Sequence, residues 1–383
     1  MSHYWSQVAP RIVRFAESRL CRQKIGVTPS TSAVLTRTLA GIALLYSAMG
    51  TGLAATPATQ QAIVQVAYGG PEVLHTQTVP VLKPGPNQVL IRIYAAGLNP
   101  TDWYMRRDEP GYTTVPVPVI PGGDVAGVIE KLGSGVTSWK VGDPVFAVIG
   151  RSGNNVGDKG VRLNGGYAHF VVAEVGNVMH KPADMTFTEA AGMALAPITA
   201  VRAVRVTEVK KGDRMLITGV SGAVGSAAAV AAKARGAYVI GTASARHTDY
   251  LHSIGVDEVI DYTKGKFEEQ VHDVDAVLDT VGGDNLPRAM TTLKKGGHIL
   301  STARGDIAAI CTPDVVCILR GPAHAQPRVV VDEVESLVTS GKIAAKVSKT
   351  FPLVEAGQAQ QFGEQGKADG KIILIVDDKA DSK

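Results

Sequence analysis

The sequence predicts a mixed α/β chain built in two styles, a β-rich, barrel-like segment followed by a doubly wound parallel sheet. Three observations carry this. Between Ala62 and about Lys181, short alternating apolar runs are separated by Pro and Gly. From about Lys211 the period changes, and apolar strands alternate with helical stretches about every 20 to 25 residues. At the start of that second region, "RMLIT" runs through a glycine turn into the alanine-rich "GAVGSAAAVAAKARG", the order of a strand, a turn and a helix. A chain of 383 residues is long enough for two such domains.

The first 58 residues read as an address rather than as fold. Residues 1–37 carry Arg11, Arg14, Arg19, Arg22, Lys24 and Arg37 against one acid, Glu17, and no charged residue follows from Thr38 through Pro71. The apolar stretch Leu39 to Met49 is too short for a bilayer span, which needs about 20 residues. It fits the apolar core of a secretory signal, with small residues near Ala54 to Ala58 for cleavage. An Arg-rich organelle presequence and a disordered tail are the other readings. Export to a periplasmic or extracellular space and retention in the cytoplasm or an organelle therefore both stay open.

In the β-rich segment, "QVLIRIYAAGL" alternates, and "DVAGVIEKLG" and "DPVFAVIG" repeat the pattern. Pro71, Pro80, Pro84, Pro86, Pro110, Pro116, Pro118 and Pro121 exclude long helices there. After "RMLIT" and its helix, which stops at Gly236, "AYVIGTAS" is a second strand and "HTDYLHSIG" a short helix. "EVIDY" and "VDAVLDTVGG" are the third and fourth strands, "LPRAMTTLKKGG" a helix and "HILSTA" a fifth strand. "RVVVDEVESLVTSGKI" returns to helix, and "KIILIVDD" is a last strand expected to pair back into the β-rich domain. The expected division is 59–185 with 327–383 for the β-rich domain and 186–326 for the doubly wound one.

In "TGVSGAVGSAAAV", glycines at 219, 222 and 225 let the backbone approach a pyrophosphate. The helix N-terminus behind them supplies free N–H groups and the positive end of its dipole. Gly219, Ser221, Gly222, Ala223, Val224 and Gly225 are the candidate cradle. Val220 stands at the first place of GxGxxG, so the strict fingerprint is not met. The serine-nucleophile reading fails on "GVSGA", where GxSxG needs a glycine at Ala223. At the end of the second strand an acid would hold a ribose 2′-hydroxyl. "GTASARH" offers Ser244, Arg246 and His247 instead, a set that favours a 2′-phosphate and hence NADP over NAD.

Net charge is +4, and with +5 in residues 1–37 the remainder is about −1. No basic face is left for nucleic acid. The cysteines are Cys21, Cys311 and Cys317, too few for a disulfide framework. A Cys311–Cys317 bridge and two small buried thiols are both open, and the thiols are the simpler expectation.

These residues resemble a family. From about Gln61 to Asp377, "GGPEVL", "AAGLNPTDWYMRR", "PVIPGGDVAGVIEKLGSGVTSWKVGDPVFAV", "GGYAHFVVAE", "FTEAAGMALAPITA", "DAVLDTVGGD" and "GKIILIV" occur in the expected order. The chain resembles the zinc-independent, quinone oxidoreductase branch of the medium-chain dehydrogenase/reductase superfamily. The resemblance implies a GroES-like catalytic domain with a Rossmann NADP-binding domain. It departs from the zinc enzymes, which carry a cysteine where Asn99 stands, Gly-His-Glu where Gly122-Gly123-Asp124 stand, and a four-cysteine lobe; no metal is expected. Resemblance also implies the site. Asn99, Asp102 and Tyr104 are its catalytic polar positions, with turn chemistry around Pro100 and wall packing as their bland readings. Thr199 matches a position near the nicotinamide, Tyr262 one near the adenosine phosphate and Lys371 a basic residue close to the cofactor. Trp103, Tyr104 and Tyr112 would stand near the cleft.

The resulting expectation is an NADPH-dependent reductase of a small quinone or α,β-unsaturated carbonyl, working without metal. A zinc-free enoyl-thioester reductase and a non-catalytic NADPH-binding protein are the alternatives. Resemblance further implies a homodimer, and no stable membrane span is expected.

Overall fold

The computed structural model describes residues 56–110, 115–150, 156–157, 160–303, 307–319 and 327–383. The leader up to residue 55 and Tyr112 lie outside the described residues. Among those residues no helix is long and apolar enough to cross a membrane.

The β-rich part begins with β1 (Thr59–Gln65) and β2 (Leu74–Pro80), an antiparallel pair. β3 (Gln88–Gly97) follows, then helix α1 (Pro100–Arg106), β4 (Asp124–Leu132), β5 (Pro144–Val148), β6 (Phe170–Glu174) and β7 (Val178–His180). The alternation expected in "QVLIRIYAAG" is not what burial shows: eight of the ten residues of β3 are buried. The reason is position. β3 pairs with β4 and β6. One face packs on Ala62, Val125 and Tyr167, and Tyr94 and Ala95 face a second cluster with Phe187 and Ala191. A strand covered on both sides loses its polar face. The segment expected as a substrate loop is also different, because Asn99 caps α1 and Pro100 opens it, a first-turn position where the missing N–H is harmless.

Helices α2 (Phe187–Ala190) and α3 (Leu195–Val206) lead into the second sheet, and the sequence reading had not assigned them. There β8 (Arg214–Thr218), α4 (Ala223–Ala234), β9 (Tyr238–Ala243), α5 (Thr248–Ser253), β10 (Glu258–Asp261), β11 (Val274–Asp279), α6 (Asn285–Met290), β12 (Leu293–Ser301), α7 (Ile307–Ile310) and β13 (Val316–Ile318) alternate. The six strands run parallel in the order β10-β9-β8-β11-β12-β13. That is the doubly wound arrangement, with its switch point between β8 and β11. Alanines 227 to 229, 231 and 232 of α4 are buried against it, which lets the helix lie close to the strands.

Two expectations are corrected here. "LPRAMTTLKKGG" is not one helix. The hydroxyls of Thr291 and Thr292 turn back to the Arg288 and Ala289 carbonyls, closing α6, and Leu293 onward joins β12. Cys311 and Cys317 are not buried thiols. Cys311 is exposed, Cys317 half-buried, and they form a disulfide. The Thr312-Pro313-Asp314 turn brings their Cα atoms to 6.1 Å, within the range a bridge requires.

Finally α8 (Arg328–Thr339), β14 (Val347–Pro352), α9 (Ala356–Glu364) and β15 (Lys371–Ile375) return to the first sheet. As expected, β15 pairs antiparallel with β3, Ile373 opposite Gly97. This register sets the start of β15 beside the end of β3, where the site lies.

Candidate active site

Four structural pieces meet around a cleft of about 330 Å³: α3, the glycine turn before α4, the turn after β9, and the strand starts at β14 and β15. The glycine turn is shaped by contacts. Gly219 has φ +66°, and a Cβ there would stand 2.6 Å from Thr280 Oγ1. A Cβ on Gly225 would stand 2.5 Å from the Gly219 carbonyl oxygen, so the first turn of α4 lies directly on the loop. Gly222, the N-cap, is exposed and has only the Gly219 oxygen near, at 3.4 Å. The departure at Val220 has a compensation. Its side chain turns inward, fully buried, over Gly241 of β9, where a Cβ would meet Val220 Cγ1 at 2.4 Å. The glycine missing from the loop is supplied by the neighbouring strand, and the loop keeps its close turn.

At the switch point Thr218 and Asp279 end β8 and β11 side by side. Thr218 Oγ1 donates to Asp279 Oδ1 at 2.6 Å, and the same buried carboxylate accepts from Ser301 Oγ (2.7 Å), Asn285 Nδ2 (2.9 Å) and Gly282 N (3.0 Å). Thr280 Oγ1 donates to the Thr218 carbonyl at 2.7 Å. Asp279 thus fixes the "DTVGG" turn beneath the glycine loop. Its signal in the sequence is the acid that closes the apolar run "VDAVLD".

On the rim, Ser244 precedes the turn that carries Arg246 and His247, and its carbonyl accepts from His247 N at 3.0 Å. Arg246 Nε donates to His247 Nε2 at 3.0 Å. Tyr262 follows Asp261, the register partner of Ala243. It therefore lies on the same rim, 58% exposed, but is not among the lining residues.

The floor is charged and buried. Lys371 Nζ donates to Asn99 Oδ1 (2.8 Å), the Leu98 carbonyl (2.9 Å) and Asp124 Oδ2 (3.2 Å). Asn99 Nδ2 donates to Asp124 Oδ2 at 3.0 Å, and Leu195 N donates to Asp124 Oδ1 at 2.9 Å. One step deeper, Asp102 Oδ2 accepts from Asn99 N (2.9 Å) and from Tyr167 OH (3.0 Å). The carboxylate satisfies the N–H of the N-cap of α1, as a capping-box acid does.

Of the residues singled out in the sequence, Ser221, Ala223, Arg246, His247 and Lys371 line this one cleft. Asn99 grips Lys371 from below. Thr199 sits one turn along α3 from the lining residues Ala196 and Pro197. Val224 and the glycines frame the loop. Tyr104 is half-buried, its ring 5.7 Å beneath the Arg107 guanidinium and 6.0 Å from Trp103, and it is not among the lining residues. Sequence reasoning missed Asp124 as a partner of Lys371, and also Tyr250, Lys346 and Asp369, which join the lining from elsewhere in the chain. Lys346 Nζ donates to Asp369 Oδ2 at 2.6 Å. That hydrogen bond holds the Asp369 carboxyl below its usual range, with the charges of Lys346, His247 and Arg246 adding to the effect.

Comparison with known proteins agrees with this arrangement. The profile of the alcohol dehydrogenase GroES-like domain matches residues 85–183, and that of the zinc-binding dehydrogenase domain matches residues 254–374. The NADPH-dependent alkenal/one oxidoreductase of Arabidopsis thaliana chloroplasts is 32% identical over 331 residues, covering 84% of this chain and 81% of its own. The quinone oxidoreductase of Rattus norvegicus is 29% identical over 338 residues, covering 82% and 98%. The solved quinone oxidoreductase of Coxiella burnetii superposes with a TM-score of 0.69 at 30% identity, over 83% of this chain and 99% of its own. Strand order, domain matches and relatives agree: the chain belongs to the medium-chain dehydrogenase/reductase superfamily, in its quinone oxidoreductase branch.

Proposed function

We propose that the protein is an NADPH-dependent, zinc-independent reductase of quinones or α,β-unsaturated carbonyls. The observation that carries this reading is a glycine-framed helix N-terminus and a buried ammonium facing one cleft. The cleft fits a nicotinamide dinucleotide. The loop from Gly219 to Gly225 has an open N-cap where a pyrophosphate would approach, and Ser244, Arg246, His247 and Tyr262 offer donors for the adenosine end. Thr199, one turn along α3 from the lining, is assigned to the nicotinamide end by resemblance. When bound, the dinucleotide supplies a hydride.

The matched zinc-binding profile raises zinc, and the donor set does not fit it. Among the described residues no group of three or more His, Cys, Asp or Glu could hold a metal ion. The oxygens that face each other at Asn99 and Asp124 are already taken by the Lys371 ammonium, which would repel a divalent cation. The remaining chemistry is electrostatic. Charge develops on the acceptor's oxygen as reduction proceeds, and hydrogen-bond donors held in a dry site stabilise it. Asn99 retains a second Nδ2 hydrogen for that purpose. Its amide is oriented by Lys371 on one side and Asp124 on the other. Tyr104 is the further donor or proton relay we assign, and Asp102 positions Asn99 through its backbone N–H.

The Cys311–Cys317 bridge supports export as the reading of the leader, since such bonds persist in oxidising compartments. The test of function is to titrate the full chain with NADPH and NADH by nicotinamide fluorescence. Quinones and short enones are then added while nicotinamide absorbance is followed. Acceptor-dependent oxidation is the expected result. Binding without turnover across the panel would instead support the non-catalytic alternative or the enoyl-thioester reductase.

A further inference from the structure

We propose that Lys346, oriented by Asp369, is the second cation that selects a 2′-phosphorylated dinucleotide, acting across the cleft from Arg246. The inference rests on the reading of the cleft as an NADPH site. The end of β9, "GTASARH", carries no acid to accept from a 2′-hydroxyl. The fold brings an acid to the same rim from residue 369, together with its own counter-ion. An unpaired carboxylate at this place would accept from a ribose hydroxyl and repel a phosphate. Asp369 is not unpaired, because Lys346 Nζ donates to it at 2.6 Å.

The pair is held in position by backbone. Lys371 N donates to the Lys346 carbonyl at 2.7 Å, and Asp369 N donates to Ser348 Oγ at 3.1 Å. Between them Gly370 has φ +135°, and a Cβ there would stand 2.3 Å from the Lys346 carbonyl oxygen. The tight register at the start of β14 and β15 needs that glycine. It fixes the backbone from which the exposed Lys346 and Asp369 side chains reach the rim that Arg246 and His247 share. With Arg246 and Lys346 against Asp369, the rim carries a net positive charge. A phosphate would share the Lys346 ammonium with Asp369, whose carboxylate goes on orienting it. A bare ribose hydroxyl would leave the ion pair intact.

The test uses the full chain and two probes, adenosine 2′,5′-bisphosphate and adenosine 5′-monophosphate, with Lys346→Gln, Lys346→Arg, Asp369→Asn and Arg246→Gln. Lys346→Gln should weaken the bisphosphate about tenfold, the value of one charge-assisted hydrogen bond, and leave the monophosphate within about twofold. Lys346→Arg should restore most of that binding, and Asp369→Asn should tighten the bisphosphate relative to the monophosphate. If Arg246→Gln is selective for the bisphosphate and Lys346→Gln is not, the role of Lys346 is overturned and the NADPH reading stands. If neither is selective, the NADPH reading falls and this inference with it.

Discussion

Replacing Lys371 with methionine tests the floor of the site directly. The Lys371 side chain is 7% exposed and that of Asp124 is fully buried. The ammonium gives all three of its hydrogens to acceptors in the protein. Methionine keeps the apolar stem and removes the charge. Asp124 then keeps only two donors, Asn99 Nδ2 and Leu195 N, and its charge is left uncompensated. Stranding one partner of a buried pair costs about 3–5 kcal/mol. At roughly 2–4 °C per kcal/mol for a large domain, the melting temperature should fall by at least about 6 °C. The double variant Lys371→Met/Asp124→Asn removes both charges and should recover most of that loss, because a buried pair exchanged for neutral groups is often close to neutral overall. Thermal melts of the wild type, the two single variants and the double variant form the cycle. The reasoning is refuted if Lys371→Met costs under about 1 kcal/mol and the two changes simply add.

Two further outcomes follow from the loop and from burial. Gly225→Ala should cost about 1–3 kcal/mol, because its Cβ would overlap backbone atoms that can move only by lifting α4 from the loop. Gly222→Ala should melt like the wild type, since its Cβ has room, yet lose the thermal stabilisation by NADPH expected of the wild type. Equal NADPH stabilisation of Gly222→Ala and wild type would remove the loop from the cofactor site. Burial holds the His169 imidazole below its ordinary range, with Asp377 opposing the shift. The folded protein therefore binds that proton less readily than the unfolded chain. The contribution of His169 is intact above pH about 6.5 and declines as pH falls below it. His169→Gln should flatten the stability profile on that acid side, and an unchanged slope would exclude His169 as its source.

The doubly wound half was legible because its signals are local. β8 is a short continuous apolar run, a glycine turn follows it and α4 is an unbroken alanine-rich stretch, and a chain can encode such signals without reference to anything distant. The resemblance of "GLNPTDWY" and "GGDVAGVIEKLG" to family motifs likewise pointed to the family. Boundaries failed where pairing partners decide them. "LKKGG" looks like a helix tail until Val274 lies beside Leu293, and β3 looks half-polar until strands cover one face and the α2 segment the other.

The site required more than local pattern. Val220 breaks the glycine fingerprint in one dimension and is reconciled only by Gly241 underneath it. Asp124 and Lys371 stand 247 residues apart, and no spacing rule joins them until β15 pairs with β3. Lys346 and Asp369 meet Arg246 only across the cleft. The sequence by itself determined the fold class, most of the doubly wound elements and the family, because those depend on neighbours along the chain. Tertiary structure alone decided which charges are buried together and which face the cleft, because ion pairing and burial depend on distance in space rather than on order in the chain.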